Sequence, residues 1–498
     1  MKQKKKLIKY IFPTLGDVIF AAIFAGAFLL GPQMMNQDGD LGRHLTIGHH
    51  ILKSRTIPTG DIFSHTMTGE ALTPHEWFAQ VLFAAADCIA GFDGVVWLTS
   101  FVIAFTFYRI YKRIKEKTGW IIIPAVFTLW GAAAASLHWL TRPHIFTFMF
   151  VTLWMEVIDS MRAGNSRWWL LPLLMLVWVN THGAFVAGFV IWGMVVLGMI
   201  VDNELNTWGQ TQPWVFSGVL SFLVTGLNPV GYSIWETSIG FLANDYLVGH
   251  TQEYLPPDFH HFSTWPFLIL ILASIMLLGS SRRKTSLSSL LLLTGWMGMS
   301  LISARNIPLF VVVAVPIVAQ TFVQAVKIDW DSKILRWWVD IEDRFNNIEL
   351  SVSSGAGIIL LITALGLLVA VVANLSFIQT NNTFSEQVFP RKSMMWVKEN
   401  PPSGRMFNHF PWGGYILHQA WPDYLVFIDG QTDFYGEELT REYECVITLC
   451  PEWEEVLEKY QVEWAIIPAD SRLSNRLQKH ETWKLTFKGD PGWVFVTE

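Results

Sequence analysis

Charge is what this chain has least of. Lys, Arg, Asp and Glu make up 15% of its 498 residues, against about 25% in an ordinary soluble domain. So little charge cannot dress the surface of a water-soluble protein of this size. A basic excess is also missing. The net charge is −6 and the pI about 6.2, which leaves out the electrostatic footprint of a nucleic-acid partner. Cysteine is scarce, with Cys88, Cys445 and Cys450 alone. There is no C-x-x-C and no zinc-ligand spacing, so a disulfide scaffold and a zinc module are both excluded. Cys445 and Cys450 are near enough to pair in an oxidising compartment, but their helical-looking context predicts two unpaired thiols. No repeat of 20–50 residues appears.

What the chain has instead is apolar mass. Hydrophobic residues reach 52%, with 25 Trp and 35 Phe, and the mean hydropathy is +0.35. Aromatic rings with a polar edge suit the membrane–water boundary. The composition describes a polytopic α-helical membrane protein, and about eleven spans of some 20 apolar residues can be threaded through it.

The basic start MKQKKKLIKY lacks the small-residue cleavage site of a signal peptide, so it reads as a cytoplasmic anchor. Short basic loops stay cytoplasmic. The first span then runs out from about Asp17 to Met35, and a first outer loop covers about 36–77. The apolar stretch from Trp77 to Phe92 is broken by Gly91 and reads as an interfacial or re-entrant helix. The second span starts near Val95 and ends inside at YRIYKRIKEK. Each later basic loop also lands inside under this threading. Trp168 to Val201 forms a tight hairpin around NTHG. The segment VKIDWDSKILRWWVDIEDRFNN reads as an amphipathic helix on the inner surface. The last span, about Ile358 to Phe377, delivers the C-terminus outside.

Composition shifts after about Thr380. Residues 1–379 read as a transmembrane domain and 380–498 as an extracytoplasmic α/β domain. RMFNHF, DYLVFIDG and EWAIIPAD read as strands, with helices between them and a closing hairpin around GDPG. That alternation predicts a small, mainly parallel sheet.

The threading collects almost every unusual polar cluster on the outer side. Asp38 and Asp40 stand two apart just after the first exit. In an extended stretch they share a face, where they can hold a divalent cation such as Mg or Mn, or act as a base and its positioner; the bland alternative is a solvated acidic loop. Arg43 and His44 follow on a probable helix, with chemistry suited to phosphate oxygens. His49 and His50 read as part of an ordinary interfacial helix. His75 and Glu76 sit where the chain re-enters the membrane, either as ligands and orienting groups or as a helix cap. Asp61 reads as a turn residue. Arg142 and His144 mark another exit, with lipid anchoring as the alternative for the arginine. Asn180 and His182 lie at the NTHG tip, where buried polar groups need partners. Glu253 lies in the long outer loop, Arg305 in SARN. Asp429 and Asp433 close FIDGQTD, which also reads as a plain Asp-Gly turn.

The acid at the start of a helix just after the first span, in NQDGDLGRHLTIGHHIL, resembles the GT-C superfamily of integral-membrane glycosyltransferases. The order of elements is similar to bacterial members of the protein-mannosyltransferase, aminoarabinose-transferase and RgtA-like groups. WGGYILHQAWPDYLVFIDGQTDFYG is similar to the outer domain of bacterial members. The resemblance implies a polyprenyl-phosphate-linked sugar donor that enters from the outer leaflet, a glycan, protein or lipid acceptor, and an Asp general base. By position that base is Asp40. The family's usual Asp-Glu pair is absent, since Leu41 follows, and Asp38 stands in for the second acid. Inverting transfer also needs cations against the leaving phosphate, for which Arg43, Arg142 and Arg305 are candidates. The outer domain is expected to contribute to acceptor recognition. A lipid or solute transporter, or an envelope-assembly scaffold, are the other classes open to such a chain. Transporters place their polar groups near the midplane, often in repeated halves, which this sequence does not show.

Overall fold

The computed structural model describes residues 13–37, 39–280, 285–329, 333–352, 365, 366, 368 and 381–498. The basic start, Asp38 and nearly all of the last expected span lie outside these residues.

The chain opens with α1 (Leu15–Leu29), started by a reciprocal cap between Thr14 and Asp17. A short α2 (Gly31–Asn36) leads to α3 (Asp40–Ser54). Asp40 stands in the first turn of α3, where the helix dipole favours an acid. Next comes α4 (Trp77–Thr118), 42 residues long, with non-helical backbone at Ala90 and Gly91. Gly91 has φ +58°, open to glycine at little cost. The segment expected to be separate is thus the first arm of a kinked helix.

The helices α5 (Ile122–Ala135), α6 (His144–Arg162), α7 (Leu170–Val179), α8 (Val186–Val201) and α9 (Trp208–Val224) follow. The long loop beyond them folds into α10 (Ser233–Gly240) and α11 (Asp245–His250). Then come α12 (Trp265–Ser280), α13 (Leu287–Ile302), α14 (Ile307–Asp329) and α15 (Lys333–Val352). Among the described residues, five helical stretches are long and apolar enough to cross a membrane: Trp77–Thr118, His144–Arg162, Gly183–Val201, Phe262–Gly279 and Ala304–Val326. Shorter apolar helices, including Leu15–Leu29 and Leu287–Ile302, pack among them. Side chains such as Leu173, Val190, Leu197 and Leu272 stay exposed on these helices, which an apolar solvent accounts for. The protein is a multi-pass helical membrane protein.

The amphipathic α15 is tied to the bundle by its acids. The Glu342 carboxylate accepts from the backbone N–H groups of Ile121, Ile122 and Ile123 at 2.8, 2.9 and 2.8 Å. It satisfies the donors that α5 leaves unpaired at its start. Glu349 accepts from Leu15 N at the start of α1 (3.0 Å) and pairs with Lys115.

The C-terminal part contains α16 (Arg391–Glu399), β1 (Arg405–Asn408), α17 (Gly413–Ala420), α18 (Thr432–Thr448), α19 (Trp453–Lys459), β2 (Val462–Pro468), α20 (Arg472–Leu477), β3 (Trp483–Lys488) and β4 (Gly492–Thr497). The sheet order is β1-β2-β4-β3. Only β1 and β2 are parallel; β4 runs antiparallel to both β2 and β3. The sheet is therefore mixed, not mainly parallel, because the closing hairpin lies directly against β2. The third expected strand, DYLVFIDG, joins no ladder of the sheet. Asn408 takes its backbone instead: Oδ1 accepts from Phe427 N and Nδ2 donates to Ile428 O, both at 2.8 Å. Its outer edge pairs with the first loop, where Val426 N donates to Phe63 O (3.1 Å) and His65 N to Val426 O (3.0 Å). Phe407, Phe427, Tyr435, Leu439, Tyr443, Trp453, Leu457 and Phe495 form a core of their own around it.

Cys445 and Cys450 form a disulfide, with Cα atoms 4.9 Å apart. This corrects the expectation of two unpaired thiols. Leu449 ends α18 in the left-handed region, and Cys450 N donates to Cys445 O at 3.0 Å, so the closing turn brings the second cysteine back over the first.

Candidate active site

The clusters that lie far apart in sequence meet at one end of the bundle. Asp40 Oδ2 lies 2.6 Å from Arg142 Nη2. Arg142 Nη1 lies 3.4 Å from one oxygen of Glu253, and Arg305 Nη1 lies 2.6 Å from the other. Arg305 also donates to the Tyr254 hydroxyl at 2.8 Å and stands 3.5 Å from His182 Nε2. His182 lies 3.6 Å from Glu76, whose second oxygen is 3.7 Å from His44 Nδ1. Asp40, Arg142, Glu253, Arg305, His182, Glu76 and His44 thus form one chain of ionisable groups. Five different connections supply them.

Local structure explains each position. Asp40 is held by the first turn of α3. Arg142 precedes Pro143 at the start of α6. Glu76 is the residue just before α4. His182 is fixed by Thr147 Oγ1, 2.9 Å from its Nδ1, and Thr147 in turn accepts from Trp178 Nε1 at 3.0 Å. Burial pushes the Glu253 carboxyl up, but Arg305 and Arg142 outweigh it and hold it down at about 2. Glu76 goes the other way: burial raises it against the pull of His75 and Arg142. Burial, reinforced by Arg142 and Arg43, keeps His44 well below the usual imidazole range and therefore neutral.

Other candidates face elsewhere. Arg43 is buried against the C-terminal part, with Nε 3.3 Å from Asp429 Oδ2 and both side chains shut from solvent. Burial works against its charge and Asp429 more than restores it, so its pKa rises. That guanidinium is spent on Asp429, not turned toward the Asp40 cluster as expected. Asn180 is a staple: it accepts from Trp77 Nε1 (2.8 Å) and donates to Leu176 O and Leu227 O. His144 Nε2 lies 2.8 Å from His138 O. His75 lies 3.1 Å from Thr73 O and 3.8 Å from Asp433. Asp61 closes a turn, accepting from Phe63 N and from Ser64 N and Oγ. His50 packs edge-on against Phe63 and Trp421.

Two participants escape a sequence reading. Tyr254 joins Arg305 by its hydroxyl and by a ring 5.0 Å beneath the guanidinium; its place beside Glu253 is the signal that could have found it. The second is Gly430. A Cβ there would overlap Asp40 Oδ1. The same interface brings Gly39 against Pro411 O, Gly42 against Gly414 O, and Gly414 against Gly39 O, each too close for a side chain. Helices α3 and α17 therefore cross with backbone on backbone, and FIDG lies directly on the Asp40 carboxylate.

For a divalent cation, the sequence offers Asp38 and Asp40. Asp38 lies outside the described residues, and Asp40 already faces the Arg142 cation. Among the described residues, the ligand-grade group of three is Cys445, Cys450 and Glu452, whose cysteines are bonded to each other. The described residues around Asp40 do not assemble a cation site.

No protein-family model matches this sequence, and no curated protein does. Its structure does have relatives. The archaeal oligosaccharyltransferase AglB from Archaeoglobus fulgidus, in complex with an inhibitory peptide and a dolichol-phosphate, superposes with TM-score 0.59 at 11% identity, over 92% of this chain and 69% of that one. The apo form of the Archaeoglobus fulgidus oligosaccharyltransferase gives 0.58 at 12% identity, over 91% and 69%. ArnT from Cupriavidus metallidurans, bound to undecaprenyl phosphate, gives 0.46 at 13% identity, over 96% and 97%. The chain has the fold of the Archaeoglobus fulgidus oligosaccharyltransferase.

Proposed function

We propose that this protein is a glycosyltransferase that moves a sugar from a polyprenyl-phosphate-linked donor to a glycan, protein or lipid acceptor at the outer face of the plasma membrane. The observation that carries the reading is the contact of Asp40 with Arg142, continued through Glu253 to Arg305. An acid and two cations occupy one end of a fold whose oligosaccharyltransferase relative holds a lipid phosphate. Fold alone would not assign activity; the charges at that end supply the specific support.

In this reading the N-terminus is cytoplasmic, residues 1–379 form the membrane domain and 380–498 the outer α/β domain. Asp40 takes the proton of the acceptor hydroxyl. The acceptor oxygen bonds to the anomeric carbon while the bond from that carbon to the phosphate oxygen breaks on the opposite face, inverting the configuration. The lipid phosphate departs with the negative charge, and Arg142 and Arg305 stabilise it. Glu253 sits between the two arginines and stays ionised at neutral pH, so it holds both cations on one wall. Asp38, beside Asp40 in sequence, would act as its second acid or as a cation ligand. His44, Glu76, His182, His75, His144 and Asn180 orient the wall and the helices that carry it. The outer domain contributes to acceptor recognition and also seats Asp40 through Gly430.

The test is transfer by the purified full chain, offered a panel of radiolabelled polyprenyl-phosphate sugars with and without chelator. Turnover with one donor, abolished in Asp40→Asn while donor binding persists, is the expected result. Neither turnover nor donor binding across the panel would overturn the reading and favour a transporter or scaffold.

A further inference from the structure

A cavity of about 510 Å³ opens at the other ends of the same helices. It lies between the end of α4, the end of α6 and the start of α7. The cavity wall on α6 runs from Leu153 to Ser160, so it stands about 16–27 Å of helix rise from Arg142, most of the way across the roughly 30 Å hydrocarbon core of a bilayer.

Its lining has two parts. Five cations, Arg109, Lys112, Arg113, Lys117 and Arg167, face three acids, Glu116, Glu156 and Asp159, a surplus of two positive charges. The acids hold part of the basic wall in place. Arg109 pairs with Glu156, and Arg113 and Lys117 both reach Asp159 Oδ2 at 2.6 Å. Lys112 lies 3.8 Å from Glu116, and its side chain is 47% exposed. Arg167 is exposed, and no ion pair joins it among the described residues. The remaining wall is mainly apolar, built from Leu153, Val157, Leu170, Leu173 and Leu174, with the polar Ser160 and Asn165 beside them. Leu173 and the neighbouring Trp169 are each about half exposed, the pattern of a surface meeting lipid just inside the interface.

We propose that this cavity binds the phosphate head group of an anionic phospholipid from the leaflet opposite the Asp40 cluster, with the leucines receiving the start of its acyl chains. A basic pocket between membrane helices, open to lipid on one side, suits that ligand. Free phosphate shares the head-group chemistry but gains nothing from the leucine wall.

The test uses the full-length protein in detergent, titrated with short-chain phosphatidylglycerol, with phosphatidylcholine and with inorganic phosphate. Lys112→Gln and Arg167→Gln remove exposed cations and leave the Asp159 and Glu156 pairs intact. Each should weaken phosphatidylglycerol binding about fivefold, while thermal unfolding stays unchanged. Glu116→Gln removes an exposed acid and should tighten it by a similar factor. Phosphatidylcholine binding equal to that of phosphatidylglycerol, or affinities unmoved in all three variants, would overturn the proposal. Inorganic phosphate binding as tightly as the lipid would overturn the lipid assignment.

Discussion

Gly430→Ala is the sharpest perturbation the structure offers. Its added methyl would land on Asp40 Oδ1, far inside the 3.0 Å at which real Cβ contacts begin. Either the carboxylate or the backbone of FIDG must retreat by about 1 Å, and a misplacement of that size at a reacting group costs roughly 10²-fold in rate. Because Asp429 Oδ1 accepts from Gln431 N at 2.9 Å and Oδ2 stands 3.3 Å from Arg43 Nε, and a carboxylate tip moves more cheaply than backbone, the shift falls on Asp40. Overpacking itself should cost about 1–3 kcal/mol of stability, too little to unfold a chain of this size. The assay is steady-state transfer with the donor found active for wild type, together with donor binding and thermal unfolding. The expected result is kcat lowered about 100-fold with donor binding kept. Gly26→Ala, where a Cβ meets nothing within 4 Å, is the matched control and should be silent. A folded Gly430→Ala protein with wild-type kcat would refute the placement of Asp40 by the C-terminal part, or its role as base.

The buried Arg43–Asp429 pair makes a second prediction. Asp429→Leu alone strands a buried cation and should cost about 3–5 kcal/mol, whereas Arg43→Met with Asp429→Leu should recover most of it; chemical denaturation that finds the double variant no better than the single would contradict this. The third concerns pH. Glu253 is held at about 2, so its ionised form stabilises the fold above the ordinary carboxyl range and is lost only as pH falls toward 2. His44 is depressed below 6.5, so the unfolded chain takes its proton first and stability falls as pH drops below about 6.5. His44→Gln should flatten the decline in melting temperature between pH 7 and 5, and identical profiles would remove His44 as a cause. The fourth addresses α15: Glu342→Ala leaves three backbone donors at the start of α5 without their acceptor and should cost about 1–3 kcal/mol, read as a lower melting temperature, whereas an unchanged one would mean water replaces the carboxylate.

The sequence made the membrane class and the polar loop ends legible because both are local properties. Hydropathy marks a span within 20 residues, and an acid before an amphipathic run marks a helix start, as at Asp40. Convergence is a property of helix crossings, so nothing near Arg142 announces Asp40 and nothing near Arg305 announces His182. Arg43 shows the cost most clearly. Its residue type suits a phosphate, and only the fold reveals that Asp429 has claimed it. DYLVFIDG reads as a strand because its residues are apolar and β-branched, but one side chain, Asn408, supplies the bonds a neighbouring strand would have made. The cysteines read as unpaired for a similar reason: helical periodicity is visible up to Thr448, while the left-handed turn at Leu449 is not.

The glycine-on-backbone crossing of α3 and α17 sets an order of events. The residue proposed to do the chemistry sits at position 40, and the loop that fixes it, at 429–431, leaves the ribosome long after it. A chain still being made can insert most of its helices and yet carry an unfinished catalytic centre. In the proposed reading, activity switches on only after the C-terminal part has docked on α3, so a partly built protein does not spend donor.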